Sequence, residues 1–166
     1  LEFGQITTRA LRPGEAAMMP IVIRSRRGVD NTTAPLVLAD ARGVATKFPT
    51  DPAVQAALAE AEFDAGNNVE AIAAADAAIA ADPAQVNAYV QKGYALFRMA
   101  GKSSDPTTFR KARAPFLALN RRESDHPIPL VFNFLSFQRQ GTRPTPLALQ
   151  GLERAVELAP FDNGIR

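Results

Sequence analysis

Four prolines set a ruler along this chain. Pro49 and Pro83 stand 34 residues apart, Pro83 and Pro127 stand 44 apart, and Pro127 and Pro160 stand 33 apart. Each interval holds a helix-forming stretch, a break, a second helix-forming stretch, and then the next proline. Proline ends helices because it lacks a backbone N–H and restricts the residue before it. The longer middle interval contains an insertion, Gly-Lys-Ser-Ser-Asp-Pro at 101–106. A helix pair of this size cannot bury its apolar face alone, so a period near 34 residues demands that successive pairs stack on one another.

The break signals give the boundaries. Residues 1–33 are expected to be an N-terminal extension, irregular or in short strands. The reason is that QITTRAL and MPIVIRSRR are β-branched or alternating runs around the Pro-Gly of RPGEAAM. A helical array is expected over 34–166, opening with a capping helix over 34–48 that has Thr33 ahead of it and Pro35 in its first turn. Three units follow at about 52–85, 86–127 and 128–161. In the first, Asp51 caps, Gly66-Asn67-Asn68 divides the two helices, and Asp82-Pro83 closes. Pro115 should kink or shorten the second helix of the second unit. The tail FDNGIR reads as the start of a further helix, and the opening LEFGQITTRAL reads as the interior of a longer protein.

Residues 66–85, GNNVEAIAAADAAIAADPAQ, contain nine alanines and no leucine or aromatic residue. A coiled coil would need repeated Leu or Ile, and only Val69, Ile72 and Ile79 are present in this stretch. Alanine suits a different task. It is the strongest helix former, and it lets two helix axes approach to about 8–10 Å. Ala59, Ala71, Ala78 and Gly93 are therefore expected at the helix crossings, with large side chains from neighbouring units filling the space around them.

The unit Pro52–Gln85 resembles a tetratricopeptide repeat. Leu58-Ala59, Gly66, Glu70-Ala71-Ile72, Ala78-Ile79 and Asp82-Pro83 fall at that family's spacing. Tyr89, Gly93, Leu96, Phe97, Ala112 and Phe116 carry the second unit; Phe134, Phe137, Gly141, Ala148, Leu152, Ala155 and Pro160 carry the third. Glu62 departs from the pattern, standing where the family usually has an aromatic residue. The resemblance implies an all-α, helix-hairpin solenoid whose first helices line a concave groove that binds a peptide or partner protein. The groove residues it implies are Glu60, Phe63, Asp64, Asn87, Val90, Tyr94, Phe97, Arg98, Gln138 and Arg139. Ala56 and Glu60 replace the Lys and Asn needed for the family's carboxylate clamp, so no such clamp is expected.

RPGEAAMMPIVIRSRRGVD ahead of such an array also resembles part of larger bacterial proteins that place a zinc-peptidase-like domain before tetratricopeptide units. That resemblance implies an alternative role, an accessory docking domain of a bacterial hydrolase in the cytoplasm or periplasm, whose groove holds another part of the same polypeptide.

Chemistry-bearing patterns are sparse. Cysteine is absent and His126 is the single histidine, so thiolate and multi-histidine metal sites are not available. No metalloprotease, nucleophile-elbow, phosphate-loop or dinucleotide motif occurs, and no cofactor or catalytic residue is expected. No apolar run approaches the roughly 18 residues a membrane span needs. The net charge is +2, with basic ends around an acidic middle, which disfavours one continuous nucleic-acid track. Arg110, Lys111 and Arg113 form a short basic run without interleaved aromatics, better read as a solvated helix face than as an RNA or DNA contact. The last helix lacks a cap, which favours pairing with a second copy.

Overall fold

A computed structural model describes residues 9–26, 28–103, 105 and 107–160 of the chain; the FDNGIR segment lies outside the described residues. Eight helices appear among them: α1 (Pro13–Arg26), α2 (Ala34–Lys47), α3 (Pro52–Asp64), α4 (Asn68–Ala81), α5 (Val86–Ala100), α6 (Thr107–Arg122), α7 (Pro127–Arg139) and α8 (Pro146–Leu158). None of these helices is long and apolar enough to cross a membrane. Each helix packs against the next, and α3 also packs against α1 and α5. The result is an all-α solenoid of antiparallel helix hairpins.

Local chemistry sets the ends of the helices. The Asp51 carboxylate accepts the Ala53 and Val54 N–H groups at 2.9 and 3.2 Å, satisfying two orphan donors at the start of α3. Thr145 does the same for α8 through the Ala148 N–H, and Asp105 accepts the Thr107 N–H at the start of α6. At the other ends, Gly66 and Gly141 adopt φ of 88° and 66°, so the chain turns through the left-handed region. The Asn67 N–H then reaches back to the Glu62 carbonyl and the Thr142 N–H to that of Phe137. Pro115 does not interrupt α6, which runs on to Arg122.

The extended segment expected ahead of Ala34 is helical from Pro13 to Arg26. Glu15 accepts the Arg12 backbone N–H at 2.8 Å, the reverse half of a capping box, and also pairs with Arg9. Met18 and Ile21 are buried against α2 and α3, with Val22 packed beside them. This burial outweighs the β preference of Ile21-Val22-Ile23, because β-branched residues lose only tenths of a kcal/mol in a helix.

The core is built on small side chains. Ala59, Ala71, Ala75, Ala78 and Ala88 are each 0% exposed. They let α3, α4 and α5 approach closely, and Ala56, Ala59, Ala74, Ala75, Ala78 and Ala88 form one continuous cluster. The seam between α5 and α7 is different. There the long side chains of Tyr94, Phe97 and Phe132 bridge the helices, with rings 4.9 and 5.1 Å apart.

Position 62, which departs from the tetratricopeptide pattern, carries a polar tie. The buried Glu62 carboxylate takes both Arg42 Nε and Nη2, at 2.7 and 2.9 Å, and the Asn67 amide at 2.8 Å. It links α2, α3 and the loop before α4, and all its charge is met by donors.

Candidate functional site: an aromatic cavity between α5 and α7

The wider seam between α5 and α7 leaves an open cavity of about 560 Å³. Phe63 of α3, Tyr94, Phe97 and Arg98 of α5, Phe132 and Arg139 of α7, and Phe109 of α6 line it, with Gly101 and Lys102 at its edge. Its floor is a connected set of rings. Phe116 and Phe132 stack with centroids 4.7 Å apart, Phe97 meets Phe132 edge-on at 4.9 Å, and Phe97 meets Phe109 edge-on at 5.4 Å. Tyr94 joins Phe63 at 5.6 Å to Phe132 at 5.1 Å. Offset and edge-on contacts of this kind place the positive ring edge on the negative ring face.

The floor exists because position 93 is glycine. A Cβ there would lie 2.3 Å from the Phe116 ring, so only a bare Cα lets that ring slide beneath α5 and reach Phe132. Ser136 fixes the register of α7. It is 0% exposed, donates its hydroxyl to the Asn133 carbonyl at 2.6 Å, and keeps the helix close to its neighbours. Phe132 lies one turn before it, on the same face.

Arg98 forms one wall. Its guanidinium carbon stands 3.5 Å from the Phe63 ring centroid, and Nη1 donates to the Phe63 carbonyl at 2.8 Å. The cation is thus stacked and hydrogen-bonded by the same residue. Burial pushes its pKa down, and the nearby Asp64 carboxylate opposes that shift. An arginine keeps its charge through such changes.

The structure brings some of the expected groove residues together and separates others. Phe63, Tyr94, Phe97, Arg98 and Arg139 share the cavity. Asp64 is exposed beside them. Glu60 and Asn87 are coupled instead to each other, through a 2.8 Å hydrogen bond that Gln91 extends at 3.1 Å. Glu60 lies beside Ile21 and Val22 of α1. Val90, expected to face the groove, is instead buried with Tyr89 and Leu119 in the core between hairpins. Gln138 is exposed on α7 outside the cavity lining.

Phe132, Phe109, Gly101 and Lys102 are the lining residues that sequence reasoning missed. Ser136 is the signal that could have found Phe132. It is the one small residue of α7, and a small residue marks the crossing face. Phe109 carries no comparable signal, because it enters the cavity from the second helix of its unit. Among the described residues no group of three or more His, Cys, Asp or Glu side chains is arranged to hold a metal ion.

This fold is that of tetratricopeptide-repeat proteins. Solved structures with it include a thermophilic TPR protein, TTC0263, from Thermus thermophilus. It matches at a TM-score of 0.75 and 15% identity over 89% of this chain and 75% of that one. MamA from Desulfovibrio magneticus RS-1, residues 41 to the end, matches at a TM-score of 0.67 and 15% identity over 92% of this chain and 78% of that one. A further MamA structure matches at 0.68 and 17% identity, over 89% and 74% of the two chains. No protein-family model and no curated protein matches the sequence.

Proposed function

We propose that this chain is a non-catalytic protein-interaction module that takes a peptide or partner segment into the aromatic cavity of its concave groove. The observation that carries this reading is the cavity itself: a preformed, ring-floored space of about 560 Å³ whose wall and edge hold cations. Cavities of some 300–1,000 Å³ accept ligands without rebuilding the fold. Rigid aromatic side chains supply contact area at low entropic cost. The structural likeness to TPR proteins supports the same reading.

Site-specific photo-cross-linking tests it. A benzoylphenylalanine at Gln138, exposed on α7 next in sequence to the lining residue Arg139, should capture a partner from cells. The same group at Leu36, 63% exposed on α2, should not. Equal capture from both positions, or capture from Leu36 alone, contradicts the proposal. A product that stays within one polypeptide would identify the accessory role in a larger hydrolase.

Self-association through the last described helix is a second reading. Leu147 and Leu149 of α8 are 74% and 46% exposed, which is the kind of surface a second copy covers. Sedimentation equilibrium should show a dimer that Leu147→Glu disperses; a monomer at all concentrations would remove this reading.

A further inference from the structure

The cavity described above has a composition that selects among peptides. Its lining side chains are aromatic or cationic, and no carboxylate is among them. Two of the cations are uncommitted. Arg98 is held by Phe63, but neither the Lys102 ammonium nor the Arg139 guanidinium meets a carboxylate among the described residues. Lys102 follows the end of α5 and Arg139 ends α7, so the two charges come from separate elements and line one cavity.

We propose that the cavity takes a linear acidic segment of a partner protein. One bulky apolar side chain, aromatic or aliphatic, enters the cavity and rests against the cluster of Tyr94, Phe97 and Phe132, and neighbouring Asp or Glu side chains rest on Lys102 and Arg139. The proposal rests on the groove reading above and adds the chemistry of the occupant. Opposite charges around an apolar anchor speed encounter and exclude basic or neutral competitors. Side-chain carboxylates fit better than a lone C-terminal carboxylate, because three cations line the cavity and a terminus supplies a single negative charge. Single-stranded nucleic acid fits less well. Its bases need ring faces spread along a basic track, whereas these rings occupy one another's faces and edges in a single cluster.

Selection from a random dodecapeptide library, displayed without free C-termini, tests the proposal on the 166-residue chain. The expected winners carry Phe, Tyr, Trp or Leu with at least two Asp or Glu within four residues. Made as an amidated, fluorescein-labelled peptide, a winner should bind at least about tenfold tighter than its Asn/Gln counterpart. Lys102→Glu combined with Arg139→Glu should weaken it by a similar factor at unchanged helical circular dichroism. That double variant should itself select peptides rich in Lys and Arg.

No enrichment, enrichment of neutral peptides, or indifference to the charge reversal would overturn the proposal. So would displacement of the winner by a free C-terminal carboxylate peptide without acidic side chains, or by a dodecameric oligouridylate. Neutral winners that still cross-link from position 138 would sink the charge assignment and leave the groove reading standing. Failure of both selection and cross-linking would end the two together.

Discussion

The Phe116 ring lies against the bare Cα of Gly93, where a methyl group would come within 2.3 Å of it. Phe116 cannot retreat, because Phe132 stacks on it at 4.7 Å and Tyr94 and Phe97 hold it from the side. Gly93→Ala should therefore destabilise the protein by about 1–3 kcal/mol, the usual cost of overpacking, despite the better helix propensity of alanine. Urea unfolding checks this, and Phe116→Leu added to Gly93→Ala should recover part of the loss.

Phe132 is the keystone on the other side of the seam. It touches the Tyr94, Phe97 and Phe116 rings at once. Phe132→Ala should cost roughly 2–4 kcal/mol, somewhat less than for a fully enclosed phenylalanine because one side faces the cavity. Thermal or urea denaturation measures it.

Glu62 and Arg42 should behave as a unit. The Glu62 side chain is 5% exposed while that of Arg42 is 52% exposed, so solvent screens the cation far more than the anion. Arg42→Ala strands a buried carboxylate on the Asn67 amide and should cost about 1–3 kcal/mol. In a Glu62→Met background, where no charge is left to satisfy, the same change should cost much less. A double-mutant cycle reads the difference.

The first helix carries an acid-sensitive tie. The hydrogen bond from Arg9, and then that from the Arg12 N–H, pull the Glu15 pKa from 4.5 down to about 2. A depressed carboxylate contributes its stabilisation in full above its unfolded value and loses it as pH falls through the folded one. Protection of the α1 amides from hydrogen exchange should thus decline between about pH 4.5 and 2, after correction for intrinsic rates. Glu15→Gln should remove this step, leaving α1 less protected at neutral pH.

Much of the solenoid was legible because its punctuation is local. Asp51, Gly66 and Gly141 announce helix ends by chemistry that acts within a few residues. The alanines of α4 announce close packing for a similar reason, since few other side chains tolerate it. What stayed hidden depends on tertiary contacts. Ile21-Val22-Ile23 reads as a strand until Met18 and Ile21 find α2 and α3. Val90 reads as groove-facing until the fold buries it in one cluster with Tyr89 and Leu119. In the third unit the insertions remove the phase reference, so Phe132 emerged only when the burial of Ser136 fixed which face of α7 turns inward. The cavity is the joint product of Gly93, Phe109, Phe116 and Phe132 from three helices, a coincidence no single segment encodes.

Partners held between α5 and α7 should leave their footprint on those two helices. Amide chemical-shift mapping of the labelled protein, titrated with an amidated acidic peptide built around phenylalanine, tests this placement most directly. Perturbations should concentrate at residues 94–102 and 132–139, saturate, and disappear at high salt. Perturbations confined to the outer helices α4, α6 and α8, or none at millimolar peptide, would contradict it.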